Sequence, residues 1–203
     1  MVKKVEKALN ETQNRSAPGA DGIGYRFIKT IKDTILREKI IEEVARNLLK
    51  RWTPKEWQNS RVVMISKPGK DHEKTKRWRL FNLINCMRKL EEKVVADELQ
   101  GCSHFHKHQF GSVKERSAIE AALRTMARVQ RCEGKGEAVG SGFWDAKVEF
   151  QNMREEEVVK ELAKSEEEKR WILCVRGFFK ARRFELEWDR RKRWEGETNL
   201  GAP

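Results

Sequence analysis

Apolar residues recur at intervals of three to four along much of this chain, a spacing typical of amphipathic helices. The pattern predicts a short helix over residues 2–12 and two helices between Tyr25 and Pro54, with a break near residues 36–38. Ser117 followed by Glu120 is a capping-box pattern that starts another helix. The remaining helices are predicted over residues 85–100, 117–131, 154–164 and 166–180.

Three stretches instead have the pattern of strands. Residues 61–66 form an apolar run, and residues 138–146 read as a buried strand that ends near Asp145. Residues 184–188 alternate with a period of two and are predicted to form a hairpin with residues 193–198. The order of elements is mixed, without a regular βαβ series, so the predicted fold class is α+β. Four tryptophans at apolar-periodic positions are predicted to lie in the core: Trp52, Trp57, Trp171 and Trp188.

Basic residues follow the strand at 61–66. A Lys-Pro-Gly-Lys loop contains Lys67 and Lys70, and the pair Trp78-Arg79 comes after a polar hinge. These three cations can converge as a clamp that suits a polyphosphate or a nucleic-acid backbone. The alternative is a solvated basic loop, which is the more common fate of such a run.

Composition changes this picture in one respect. The 203 residues include 44 Lys and Arg against 32 Asp and Glu, a net charge of +12. Such an excess favours a polyanionic partner through counterion release and steering, although a basic protein without such a partner fits the composition equally well. No apolar run approaches the roughly 20 residues of a membrane span, and the basic amino terminus lacks the apolar core of a secretory signal.

Cysteine and histidine spacing gives no sign of a metal or disulfide framework. The four cysteines are far apart and form no C-x-x-C pair, which favours a reduced intracellular compartment. The nucleus is one such compartment and is kept as an expected location. His104, His106 and His108 lie near Cys102 and can approach one ion if the loop is extended. A structural zinc site needs four ligands in a closed array, so zinc is not expected here.

Several short blocks occur in a characteristic order. They are S-A-P-G-A-D-G-I at 16–23, K-P-G-K-D at 67–71, W-R-L-F-N-L-I-N at 78–85, K-L-E-E-K at 89–93, Q-F-G at 109–111 with R-S at 116–117, F-W-D at 143–145 with Phe150, and L-G-A-P at 200–203. In this order and spacing the chain resembles the reverse transcriptase domain of non-LTR (LINE-type) retrotransposons. One block alone would be a weak signal, but this many ordered blocks are specific.

The resemblance implies a right-hand polymerase fold, of which the chain would hold the fingers and part of the palm. Residues 1–136 would be the fingers-like region, helical with a basic strand-loop at 61–85. Residues 137–203 would be a partial palm with the first carboxylate motif, an incomplete fold truncated before the remaining palm and thumb. The implied activity is RNA-templated DNA synthesis with a template-primer, deoxynucleoside triphosphates and Mg²⁺.

The resemblance also implies roles for individual residues. The nucleotide-binding residues would be Lys67, Lys70, Arg79 and Phe150, the template contacts Gln109 and Arg116, and the catalytic Mg²⁺ ligand Asp145. Trp78 is added as a base-stacking candidate because it stands beside Arg79. Cations over the triphosphate would stabilise the charge that develops during phosphoryl transfer.

Departures from the family pattern bear on activity. Two-metal chemistry in the family needs a later Asp-Asp pair, and no such pair occurs in these 203 residues, so the chain alone is expected to be inactive. Other unexpected residues are Leu80 in place of Pro, Glu115 and Glu149 in place of small residues, and Arg88 and Glu91 in place of Gly or neutral residues. These changes suggest a decayed copy without selected function. The other alternative is a non-catalytic nucleic-acid-binding protein.

Overall fold

The computed structural model describes residues 1–66, 78–102, 105–145, 153–180, 182–188 and 192–198. Within these ranges the helices are α1 (Val2–Glu11), α2 (Tyr25–Thr30), α3 (Thr34–Lys50), α4 (Cys86–Cys102), α5 (Ala118–Glu133), α6 (Glu155–Leu162), α7 (Glu166–Lys169) and α8 (Ile172–Phe179), with a 3₁₀ turn at Lys55–Gln58. The strands are β1 (Asn59–Ser66), β2 (Trp78–Ile84), β3 (Arg182–Trp188) and β4 (Lys192–Thr198). The α+β class is therefore confirmed. No helix in the described ranges is both long and apolar enough to cross a membrane.

The four strands form one sheet in the order β2-β1-β3-β4. β1 pairs antiparallel with β2 and parallel with β3, and β3 pairs antiparallel with β4. The predicted hairpin at the carboxyl end is thus confirmed. Phe184 lies over Gly196 in the neighbouring strand, where a Cβ atom on the glycine would come within 2.5 Å of the ring.

The core is helical, and α4 runs through its centre. Helices α1, α3, α7 and α8 all contact α4, which therefore buries side chains on more than one face. Its apolar contribution includes Leu90, Val94 and Val95, each at most 2% exposed. Removing this much apolar surface from water is the main stabilising term for such a small core.

The turn at residues 16–23 packs directly against the start of α4. The Asn85 amide nitrogen donates to the carboxylate of Asp21, and the Asn85 side-chain oxygen accepts from the Met87 backbone N–H at 2.7 Å. Lys89 donates to the Ala17 carbonyl at 2.6 Å. At Gly19 a Cβ atom would lie 2.6 Å from the Asn85 backbone nitrogen, so only glycine permits this approach.

Polar side chains set the starts of two helices. Ser117 accepts a hydrogen bond from the Glu120 N–H at 3.1 Å, as the sequence predicted, and the Glu120 carboxylate pairs with Arg124. Asp33 accepts from the Leu36 N–H at 3.1 Å and starts α3. The predicted break near residues 36–38 was therefore wrong, because the cap at Asp33 places the interruption at residues 31–33.

Other local predictions were also wrong. No strand forms over residues 138–145, where Phe143 and Trp144 are 96% and 97% exposed. Gly140 and Gly142 weaken any strand here because they offer no side chain to pack. Trp171 is in the core as predicted, and Trp57 is partly buried against it. Trp52, however, is 56% exposed, and the side chain of Trp188 lies outside the described residues.

Two charged residues of α4 are buried in the core. Arg88 is 3% exposed and Glu91 is 1% exposed. The Arg88 guanidinium bonds to Glu92 at 2.9 Å and lies 4.5 Å from the centre of the Phe178 ring. Thr53 donates to one Glu91 oxygen at 3.0 Å, while the other has no partner among the described residues. Burial raises the pKa of Glu91 to about 7, although Arg88 opposes this shift.

A Gly19→Ala substitution should destabilise the protein. The added Cβ would meet the backbone of Asn85 and Ile84 at 2.6–2.8 Å, and overpacking of this kind costs about 1–3 kcal/mol. The matched control is Gly177→Ala in α8, where nothing lies within 4 Å of the added Cβ; this change should be neutral or stabilising by up to about 1 kcal/mol. Urea unfolding measures both, and equal stabilities would contradict the close packing of the turn.

Glu91 should make stability fall as the pH rises from about 5 to 8. Its folded pKa of about 7 exceeds the reference value of 4.5, so the folded state binds more protons in that window, and the advantage is lost above it. The free energy of unfolding of a Glu91→Gln variant should be compared with that of the parent at each pH. The difference should favour the variant by roughly 1–3 kcal/mol more at about pH 8 than at about pH 5. The control is Glu42→Gln on the exposed face of α3. Parallel pH profiles of unfolding free energy for all three proteins would refute the assignment.

Candidate nucleic-acid interface

Three of the eight candidate residues, Lys67, Lys70 and Phe150, lie outside the described residues. Trp78 and Arg79 lie at the start of β2, with Trp78 opposite Ser66 and Arg79 opposite Ile65 on β1. Because consecutive side chains in a strand point to opposite faces, these two do not share a face of the sheet. Trp78 is half-buried and Arg79 is exposed. Whether Arg79 meets Lys67 and Lys70 remains a prediction.

Asp145 stands at the end of the irregular segment 137–145 and is exposed. No hydrogen bond or ion pair joins it to another described residue. Nor does any group of three or more His, Cys, Asp or Glu side chains in the described ranges have the arrangement of a metal site. The described residues around Asp145 therefore do not fit a two-Mg²⁺ centre, which requires several oxygen ligands.

The loop at residues 105–117 brings Gln109 and Arg116 together. One guanidinium nitrogen of Arg116 donates to the His106 and Gln109 carbonyls, both at 2.7 Å. The Gln109 side chain donates to the Gly111 carbonyl at 3.1 Å. Two of the template contacts implied by the resemblance thus take part in shaping the loop itself. Gln109 is exposed, while Arg116 is half-buried.

Contacts with two helices hold this loop in place. Lys114 forms an ion pair with Asp97 of α4 at 2.6 Å, and its backbone N–H donates to Gln100 at 3.1 Å. On the other side, the Arg124 guanidinium of α5 lies 5.3 Å from the centre of the Phe110 ring. The loop therefore bridges the end of α4 and the first half of α5.

A cluster of cationic groups surrounds His108 at this junction. The His106 and His108 rings lie with their centres 5.3 Å apart. Partial desolvation lowers the pKa of His108, and the neighbouring Lys107, His106, Arg124 and Arg128 lower it further. These groups form a local concentration of positive charge.

The contribution of α5 to this junction was not predicted from the sequence. Arg124 and Arg128 are one helical turn apart, and residues spaced by four lie on one face of a helix. The apolar residues Ile119, Leu123 and Met126 occupy the other side and are 58–73% exposed. The i, i+4 arginine pair was a visible signal, but its proximity to the histidine loop depends on the turn at residues 105–117.

Two known proteins are similar to this chain over most of its length. The probable RNA-directed DNA polymerase from transposon BS of Drosophila melanogaster is 22% identical over 169 residues, 80% of this chain and 18% of that protein. The probable RNA-directed DNA polymerase from transposon X-element of the same species is 25% identical over 154 residues, 72% of this chain and 16% of that protein. No family model matches the chain.

These similarities confirm the resemblance predicted from the ordered blocks. The chain is a diverged relative of the RNA-directed DNA polymerases of non-LTR retrotransposons, at low identity over most of its own length. It spans less than a fifth of the length of the two curated relatives it matches.

An Arg116→Ala variant should loosen the loop without unfolding the helical core. It removes two charged hydrogen bonds to loop carbonyls, which should favour local opening by about 1–2 kcal/mol. Cleavage by chymotrypsin after Phe105 and Phe110 should then become about 5–30-fold faster. The control, Arg131→Ala, removes an arginine that bonds within α5. Equal cleavage rates in both variants and the parent would show that Arg116 does not hold the loop.

Proposed function

We propose that this chain, a diverged relative of transposon RNA-directed DNA polymerases, forms part of a LINE-type reverse transcriptase and binds the template strand. The observation that carries the proposal is the similarity to two such polymerases over 72–80% of the chain. It agrees with the ordered blocks along the sequence. The net charge of +12 supports a polyanionic partner, because each phosphate contact releases condensed counterions.

The proposed fingers role rests on where the cations lie. Arg79 is exposed on β2 at the end next to residues 67–77, which contain Lys67 and Lys70. A cation in that position would face the phosphates of an incoming nucleotide and stabilise negative charge during transfer. The polymerase fingers and palm assignment, and the use of deoxynucleoside triphosphates, are part of this proposal.

The chain by itself is proposed not to polymerise. Asp145 is a single exposed carboxylate, and no Asp-Asp pair occurs in the 203 residues. One carboxylate cannot supply the shared oxygen ligands of a two-metal centre. Its role in the intact polymerase would be that of the first acidic ligand, completed by carboxylates from elsewhere in that protein.

A second candidate is a nucleic-acid-binding protein without catalysis. The cationic junction between residues 105–117 and α5 favours it, since cations there can contact phosphates without a metal. The two candidates differ in what Asp145 does. In the polymerase it contributes to activity once the remaining acidic ligands are present, whereas in the binding protein it has no role.

The purified chain should bind single-stranded RNA in a salt-dependent way and should not extend a primer. If the chain is the non-catalytic binding protein, Arg79→Ala and Lys67→Ala should each weaken RNA binding and reduce the slope of log affinity against log salt by about 0.7 per lost phosphate contact. Fluorescence anisotropy with a labelled RNA measures this. Lys50→Ala, a change in an exposed cation on α3, is the matched control and should have a smaller effect.

Two results would contradict the proposal. Absence of RNA binding at low salt would remove the template-binding role. Incorporation of deoxynucleotides by the parent chain that disappears in an Asp145→Asn variant would show that the chain alone is catalytic.

A further inference from the structure

The junction of the loop at residues 105–117 with α5 has the properties of a phosphate-binding surface. The groups that act on His108 are Lys107 and His106 from the loop and Arg124 and Arg128 from α5. A carboxylate also lies at the junction, because Glu120 pairs with Arg124 at 2.7 Å. We refer to His106, Lys107, His108, Arg124 and Arg128 together as the histidine–arginine patch.

We propose that the histidine–arginine patch binds the phosphodiester backbone of single-stranded RNA and takes up protons as it does so. This rests on the proposed template-binding function and gives it a location and a pH dependence. The patch differs from the residues implied by the resemblance. One of those residues, Arg116, donates hydrogen bonds from a guanidinium nitrogen to two carbonyls of the loop.

The geometry suits a backbone better than a single small anion. Arg124 is held on one side by the Phe110 ring, 5.3 Å from the guanidinium carbon, and Arg128 lies one helical turn away. Cations spaced along a helix face in this way can contact successive phosphates of an extended strand. Glu120 pairs with Arg124, but both side chains are more than a third exposed, so a phosphate can compete for the arginine at little cost.

The pH dependence follows from His108. Desolvation and, to a smaller extent, positive neighbours hold the pKa of His108 below its usual value in the free protein, so the ring is neutral near pH 7.5. A bound phosphate reverses the local field and raises that pKa. Binding therefore favours the protonated ring, and affinity must increase as the pH falls from about 8 to 6.

The second ring brings a further hydrogen-bonding group to the patch. The centre of the His106 ring lies 5.3 Å from that of His108, so a phosphate beside one ring is close to the other. An increase of one unit in the pKa of His108 on binding contributes up to about tenfold in affinity.

The test is fluorescence anisotropy of the full chain with a labelled single-stranded RNA of about 16 nucleotides, measured at about pH 6 and pH 8 over a range of salt and with EDTA present. The parent should bind about three- to tenfold more tightly at the lower pH. A His106→Gln/His108→Gln variant should keep its affinity at pH 8 and lose most of this increase.

An Arg124→Ala/Arg128→Ala variant should bind about tenfold or more weakly and reduce the salt slope by about 1.4. Lys39→Ala/Lys50→Ala removes two exposed cations of α3 and is the charge-matched control. It should retain both the pH dependence and most of the salt slope. Circular dichroism of each variant establishes that α5 is intact.

The outcomes separate this inference from the proposed function. If the parent binds RNA but the Arg124→Ala/Arg128→Ala variant and the Lys39→Ala/Lys50→Ala control behave alike, the patch is not the site, while the template-binding function stands. If the histidine variant retains the full pH dependence, proton uptake by the patch is excluded. If the parent binds no RNA at either pH, the template-binding function and the inference both fail.

Discussion

The burial of α4 is the constraint on which the rest of this structure depends. A helix contacted by α1, α3, α7 and α8 has little surface left for solvent, yet its sequence carries Arg88 and Glu91 inside the core. They are three residues apart, so each partly offsets the charge of the other. An isolated buried charge would cost far more than a paired one. The fold therefore tolerates these residues together better than it would tolerate either alone, and a substitution at one position alters the cost of the charge at the other.

The same helix fixes the position of distant blocks of sequence. Its start receives the turn around Gly19 and Asp21, and its far end holds the loop at residues 105–117 through the Lys114–Asp97 ion pair. Segments that resemble separate polymerase motifs are thus joined through one rigid element. A rigid support of this kind is what a binding surface built on loops requires. Loosening α4 would displace both ends at once.

Local signals made much of this fold predictable. Helical periodicity identified α1, α4 and α5, the Ser117 cap marked the start of α5, and alternation identified the β3–β4 hairpin. Long-range pairing was not predictable, because the parallel contact between β1 and β3 joins residues more than 100 positions apart.

The segment at residues 138–145 shows the limit of pattern reasoning: it is apolar enough for a strand, but a strand also needs a neighbour, and none pairs with it among the described residues. Trp52 illustrates the same limit. Helical spacing predicts which residues share one face of a helix, but it does not predict whether another element packs on that face. For the site, the resemblance named Gln109 and Arg116 as template contacts. It did not point to the arginines of α5 that approach the same loop.

Helix α5 has two chemically different sides. Arg124 and Arg128 lie toward the histidine loop, while Ile119, Leu123 and Met126 are 58–73% exposed on the other side. Exposed apolar stripes promote association, and cations promote nucleic-acid binding with a strong salt dependence. These effects respond oppositely to salt, because high salt screens the arginine side but strengthens apolar contact. A polyanion bound to the arginine side leaves the apolar stripe free. The proposed binding of RNA and any association through the stripe would therefore be separable on one helix, and a salt series would distinguish them without altering a residue.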